Sequence, residues 1–129
     1  MRNKIKEHLD EKEQALLLAI PDLRKLEGMR DFCILNLMLR CGLRRAEICS
    51  LKRMDLKIEG GKFRLYVFGK GERWRKIPIA SPELIFELER YLKKQGHIDK
   101  PDAPLFWQIR FKKETGPLPI TPEAVRWMV

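Results

Sequence analysis

Cys41-Gly-Leu-Arg-Arg-Ala-Glu-Ile-Cys-Ser-Leu51 is followed by Phe63-Arg-Leu-Tyr-Val-Phe-Gly-Lys-Gly-Glu-Arg-Trp-Arg-Lys-Ile-Pro-Ile79, and the change of period between them decides the fold. In the first segment Gly42 breaks an apolar run, and the pattern predicts a helix over Leu43–Arg53. Leu43, Ala46, Ile48 and Leu51 point inward there, while Arg44, Arg45 and Glu47 are free to point elsewhere. In the second segment the period falls to two. Phe63, Leu65 and Val67 alternate with Arg64, Tyr66 and Phe68, which predicts a strand. Gly69-Lys-Gly-Glu72 is a turn, and Arg73–Ile79 returns as a second strand, with Pro78 placing it at an edge.

Outward from this stretch the chain reads as helices. Residues 1–8 form a polar lead-in. Asp10 with Glu13 three residues later is a capping-box pattern, so a helix starts near Glu11 and stops near Pro21. Met29–Arg40 is a second helix, whose run Phe32–Leu39 is apolar on too many sides for one face and so predicts the central buried helix. Ser81-Pro82-Glu83 supplies an N-cap, a proline at the first helical position and a first-turn acid. The amphipathic helix that follows runs to Gln95 and stops at Gly96. Residues 97–118 are mostly loop, anchored by Leu105-Phe-Trp107, and Thr121-Pro122-Glu123 starts a last helix. The expected fold class is α+β, mainly α-helical with a small antiparallel β-hairpin or sheet, in one domain over residues 9–129.

The 129 residues are enough for one ordinary core, and 44% hydrophobic with 35% charged residues reads as globular rather than disordered. No apolar run approaches the roughly 20 residues of a membrane span. The N-terminus lacks an apolar signal core, so a cytoplasmic protein with reduced thiols is expected. Cys33, Cys41 and Cys49 form no CxxC pair and read as small core residues, with no metal site suggested. The formal charge is +9, and it is unevenly spread. Residues 1–39 hold seven bases and seven acids, whereas residues 40–76 hold twelve bases against four acids. A solvated face usually mixes its signs. A one-signed block in a neutral chain points to a polyanion, with a merely solubilising basic surface as the bland alternative. The block lacks the long apolar helix face of a membrane-binding segment.

Within that block, Arg44 and Arg45 open a helix with Glu47 one turn on, Lys70 stands on a glycine-flanked tip, and Arg73, Arg75 and Lys76 line the return strand. Arginine at a helix start suits phosphate through its bidentate fork and the free N–H groups beside it. Glu47 is the obvious salt-bridge partner for Arg44 or Arg45. A lysine on a hairpin tip can reach into a groove and donate a proton.

In this order and spacing the residues resemble the catalytic domain of the tyrosine recombinases, the phage-integrase and Xer-type family. The resemblance runs from about Leu9 to Val129. It rests on Arg30-Asp31, on Gly42-Leu43-Arg44-x-x-Glu47-x-x-x-Leu51 with Asp55 after it, and on Gly69-Lys-Gly with Arg75 and Pro78. Leu105-Phe106 and Thr121-Pro122 also fall where that family has theirs. It implies that Arg44 holds the non-bridging oxygens of the scissile phosphate, that Glu47 helps organise the site, and that Lys70 protonates the leaving 5′-oxygen. It also implies duplex DNA and other recombinase protomers as partners, and no metal, cofactor or small-molecule substrate. Arg45 has no role in the family and reads, with Arg73, Arg75 and Lys76, as a DNA-contacting residue.

The departures matter as much. The family's His-x-x-Arg pair and nucleophilic tyrosine are expected after the helix that begins at Thr121. His8 and His97 are the two histidines, and neither has an arginine three residues on. Tyr66 and Tyr91 are the two tyrosines, one mid-strand and one on an apolar helical stripe, and neither reads as a nucleophile. The expectation is a C-terminally truncated catalytic domain, inactive alone, marginally stable and monomeric. Two alternatives stay open: a non-catalytic duplex-DNA-binding remnant, and a small basic RNA-binding protein using Phe68 and Trp74 to stack on unpaired bases.

Overall fold

The computed structural model describes residues 9–96, 100–109, 115–126 and 128, and of Lys70 the backbone alone. The polar lead-in at residues 1–8 and His97 lie outside the described residues. The elements in chain order are α1 (Glu11–Leu18), α2 (Leu26–Leu39), α3 (Arg45–Ser50), β1 (Leu56–Glu59), β2 (Lys62–Gly69), β3 (Arg73–Ile79), α4 (Pro82–Gln95) and α5 (Pro122–Arg126). Short 3-10 turns precede β1 at Arg53–Asp55 and join β2 to β3 at Lys70–Glu72.

The capping box forms as the sequence predicts. The Asp10 Oδ1 accepts from the Glu13 N–H at 2.8 Å, and the Glu13 Oε1 accepts from the Asp10 N–H at 3.2 Å. Helix α2 is the central element, with its residues from Phe32 to Leu39 all buried. One side of it, through Met29, Cys33, Ile34, Leu37 and Met38, enters the main core with the sheet and α4. The other side, through Phe32, Leu35 and Leu39, packs against Leu18 of α1. Asn36 in this apolar helix is satisfied by donating to the Phe32 carbonyl at 3.0 Å, as a buried amide must be.

Arg30, at the front of α2, is only 6% exposed. Its guanidinium donates to Asp31 Oδ1 from Nε at 3.0 Å, and to the Trp107 carbonyl from Nη1 at 2.8 Å. Burial pushes the Asp31 carboxyl up from its ordinary value, and the neighbouring Arg30 partly offsets this. The charge is therefore spent on tying the Leu105–Trp107 anchor to the central helix.

Helix α4 follows its sequence signals closely. The Ser81 hydroxyl accepts from the Leu84 N–H at 3.3 Å, and Gly96 closes the helix with φ +79°. Its apolar face buries Leu84, Leu88, Tyr91 and Leu92. Tyr91 is wholly buried, and its hydroxyl accepts from the Trp107 N–H at 3.1 Å. Gln95 donates to the Leu105 carbonyl at 3.0 Å.

Two expectations need correction. The helix predicted over Leu43–Arg53 spans only Arg45–Ser50, because Leu51 turns extended and its carbonyl accepts from the Leu105 N–H at 2.9 Å. Backbone bonds from Arg53 to Ala103 and from Met54 to Pro101 continue this pairing, so a distant segment ends the helix. Ala46, expected inward, is exposed. The second correction is the extra strand β1, which makes a three-stranded antiparallel sheet in the order β1-β2-β3. It pairs Leu56 with Leu65 and Glu59 with Lys62 across the Gly60-Gly61 turn. Strand β3 lies at the other edge, where Pro78 costs no ladder bond. Leu56, Leu65, Val67 and Ile79 face the core.

A close approach of backbones fixes the entry to α2. A Cβ on Gly28 would overlap the carbonyl of Asp22. Gly28→Ala is therefore expected to lower unfolding stability by about 1–3 kcal/mol, the usual cost of forcing an extra methyl into a packed site. Urea denaturation checks this, and an unchanged midpoint would refute the packing.

Candidate functional site

The site is built where α2 hands over to α3. After Leu39 the chain turns through Gly42, whose φ of +77° favours glycine, and the Leu43 N–H donates back to the Leu37 carbonyl at 3.1 Å. Leu43 is buried, and the next residue, Arg44, comes out exposed as the N-cap of α3.

Glu47 is 5% exposed and does not pair with the side chain of Arg44 or Arg45, as the sequence suggested. Its carboxylate takes the fork of Arg75, from Nη1 at 2.6 Å and Nη2 at 2.9 Å, and accepts from the Arg44 backbone N–H at 2.8 Å. One N–H expected to be free for phosphate is thus already used. The Arg75 fork, more than the Arg44 N–H, holds the Glu47 carboxyl below its usual range, against the opposing effect of burial. The carboxylate in turn raises the Arg75 guanidinium.

Gly69 explains how the pair fits. A Cβ there would overlap the Glu47 Oε2 and crowd the Arg75 Nη1. The first glycine of Gly69-Lys-Gly is thus required by a carboxylate lying where a side chain would be. The second, Gly71, adopts φ +73° inside the turn, followed by Glu72 at φ +54°. Lys70 opens this turn, so its backbone stands at the hairpin tip; its side chain lies outside the described atoms.

The predicted basic line on β3 divides between two faces. Arg75 pairs across the sheet with the buried Val67 and points to the Glu47 side, whereas Lys76 pairs with Tyr66 on the outward face. Arg73 and Lys76 are exposed, while Arg75 is half-buried by its ion pair. The structure therefore brings Arg75 into the scaffold behind Arg44 instead of onto a free surface.

A cavity of about 500 Å³ opens beside Arg44, lined by Arg44, Arg45, Ala46, Pro122, Glu123 and Arg126. Helix α5 supplies its far wall, started by the Thr121 hydroxyl, which accepts from the Ala124 N–H at 3.2 Å. Arg126 is a residue that the sequence reading missed. The His-x-x-Arg pair of the family is expected beyond the helix that begins at Thr121, whereas Arg126 lies within that helix. Spacing alone, an arginine one turn into the helix opened by Thr121-Pro122, could have found it. Three arginines and one glutamate thus line an open, cationic cavity.

Neither tyrosine lines this cavity. Tyr91 is buried and pushed up to about 12, chiefly by that burial. Tyr66 donates its hydroxyl to Glu59 Oε1 at 2.9 Å, and that bond raises its pKa. Cys33, Cys41 and Cys49 are free thiols, each raised by burial. Among the described residues, no group of three or more histidine, cysteine or acidic side chains could hold a metal ion, and no helix is long and apolar enough to cross a membrane.

Residues 7–117 match the phage integrase family, and the chain belongs to that family. It is 34% identical over 100 residues to the tyrosine recombinase XerC of Chlamydia caviae, covering 76% of this chain and 31% of that protein. With the tyrosine recombinase XerA of Pyrococcus horikoshii it shares 35% over 115 residues, 78% of this chain and 39% of the relative. The chain therefore spans about a third of the length of the relatives it matches. Among solved structures, the XerH site-specific recombinase bound to its difH substrate in a pre-cleavage complex superposes with a TM-score of 0.71 at 21% identity, covering 95% of this chain and 34% of that one. The XerA recombinase superposes with a TM-score of 0.67 at 20% identity, over 93% of this chain and 39% of that one. The α+β recombinase fold expected from the sequence is thus the fold found.

If Glu47, Arg75 and Gly69 act as one unit, Glu47→Ala is expected to cost about 1.5–3 kcal/mol, the worth of a charge-assisted hydrogen bond. Gly69→Ala should cost a similar amount, and the double variant less than the sum. A lowered folded pKa means the carboxylate stabilises the fold above its unfolded value of roughly 4.3, and that this stability is lost as pH falls through the folded pKa. Denaturation of the chain and of Glu47→Gln at pH 7 and pH 3 should show their difference shrinking at the lower pH. A difference that persists at pH 3 would assign the effect to packing.

Proposed function

We propose that this chain supplies the phosphate-gripping part of a tyrosine recombinase active site acting on duplex DNA in site-specific recombination. The observation that carries the reading is the convergence of Arg44, Arg45 and Arg126 on one open cavity, with Arg44 set by the Glu47–Arg75 pair behind it. In-line phosphoryl transfer places growing negative charge on the equatorial oxygens, and fixed guanidinium groups offset it without reorganising. Arg44 and Arg126 are the two groups assigned to those oxygens. Glu47 is a positioning residue, since its charge is already matched by Arg75. Lys70, at the tip of the β2–β3 turn, is assigned the proton for the leaving 5′-oxygen, in line with the family resemblance. Arg45 and Arg73 are assigned to neighbouring phosphates.

The nucleophile is not assigned within this chain. Tyr91 is buried under the Leu105–Trp107 anchor and Tyr66 is bonded to Glu59, so neither hydroxyl is offered to a phosphate in the cavity. The activity expected of these residues by themselves is binding without cleavage. Support for duplex DNA as the partner comes from the basic block and from the likeness to a site-specific recombinase solved on its difH substrate.

Affinity for a duplex is expected to fall steeply with salt, with a slope near 0.9 per phosphate neutralised. Arg44→Ala and Arg126→Ala should each weaken binding about tenfold or more, as loss of a charge-assisted contact does. Glu123→Gln should tighten it several-fold by removing the one carboxylate from the cavity. Fluorescence anisotropy on a labelled duplex over a salt series reads all of these. Salt-independent affinity, or an Arg44→Ala variant that binds unchanged, would sink the reading. A covalent protein–DNA adduct on a nicked suicide duplex would overturn the absence of cleavage.

A further inference from the structure

The outward face of the sheet carries a second, separate feature. Leu65 and Val67 of β2 are wholly buried, so Arg64, Tyr66 and Phe68 take the opposite face. The register sets Phe68 against Trp74, Tyr66 against Lys76 and Arg64 against Pro78, and β1 adds Lys57 opposite Arg64. Trp74 is 61% and Phe68 46% exposed. Their ring centroids are 5.3 Å apart with planes tilted by 58°, so the pair does not close on itself and leaves ring surface open to solvent. Tyr66 beside them is already engaged, with its hydroxyl on Glu59 and the Lys57 ammonium 5.8 Å from its ring centroid.

Charge decides what such an aromatic pair is for. The same outward positions carry Lys57, Lys62, Arg64 and Lys76 against the single carboxylate Glu59. A protein-binding patch keeps charges away from its centre. Here Lys76 follows Trp74 on the outward side of β3, opposite Tyr66, while Lys62 and Arg64 continue the same face of β2, with Arg64 on Glu59 Oε1 at 3.2 Å. Duplex bases already have both faces stacked, so open rings among cations suit unpaired bases, whose faces they can cover while the cations meet the phosphates.

We propose that the outward face of β2–β3 is a binding site for single-stranded DNA, with bases stacked on Phe68 and Trp74 and phosphates held by Lys76 and its cationic neighbours. This site is on the opposite side of the sheet from the Glu47–Arg75 pair, and it goes beyond the duplex-gripping role of the Arg44 cavity. It gives the chain a means of holding a strand that has lost its pairing partner.

The test titrates the full 129-residue chain with a short oligothymidylate and with a duplex, following anisotropy of the labelled nucleic acid and tryptophan emission. Phe68→Ala and Trp74→Ala are each expected to weaken oligothymidylate binding about tenfold, to leave duplex binding within about twofold, and to leave the melting temperature unchanged because both rings are exposed. Trp74→Phe should restore most of the affinity. Arg44→Ala should weaken the duplex and spare the oligothymidylate, so that failure of the two sites can be told apart. Unchanged oligothymidylate binding by both alanine variants, or equal losses on duplex and single strand, would overturn the proposal. So would tighter binding of oligouridylate than of oligothymidylate, which would assign the face to RNA.

Discussion

The Glu47 carboxylate, held by the Arg75 fork and lying against the bare backbone of Gly69, is the constraint on which the rest of the site depends. It joins the first turn of α3 to the root of the β2–β3 hairpin, with Arg75 lying 28 residues beyond Glu47 in sequence. A carboxylate that is 5% exposed must have its lone pairs met, and here two guanidinium nitrogens and one backbone N–H do so. Once they are met, the hairpin root cannot slide against α3. Arg44 therefore emerges at a fixed place, and the tip bearing Lys70 stands in a fixed relation to it. The ion pair sets geometry more than it adds stability, and it leaves Arg44 as an exposed cation beside the cavity.

A second set of polar contacts does similar work on the far side of the core. Arg30, Tyr91 and Gln95 all spend their polar atoms on the backbone of the Leu105–Trp107 segment. That segment in turn bonds to Leu51 through Leu105 and to Ile120 through the Phe106 carbonyl. It thus ends α3 on one side and sets the start of α5 on the other. The two walls of the cationic cavity, α3 and α5, are positioned through one buried loop. A residue such as Tyr91, with no place near the chemistry, still bears on where Arg126 stands.

Much of this was legible in the sequence. The caps at Asp10 and Ser81, the stop at Gly96, the buried run from Phe32 to Leu39 and the alternation from Phe63 to Val67 are local signals, and local backbone physics honours them. The α3 boundary was not legible, because Leu43–Arg53 has an acceptable helical period and is cut short by bonds from residues 101–105. Strand β1 was hidden for a related reason. Four residues of mixed exposure carry little period of their own and become a strand by pairing with β2. Arg126 was present as a letter, but only the packing of α5 beside α3 puts it on the same cavity as Arg44.

The sequence by itself determined the class of fold, the basic block and the identity of Arg44, Glu47 and Lys70 as residues to watch, since composition, period and motif spacing are properties of the chain alone. Tertiary structure decided which charges are free and which are spent. It turned Arg75 from an expected DNA contact into the partner of Glu47, set Lys76 on the opposite face from it, and brought Arg126 to Arg44 across the cavity. Pairing between charges falls steeply with distance and depends on what water can reach, and neither distance nor burial is fixed until the elements have packed.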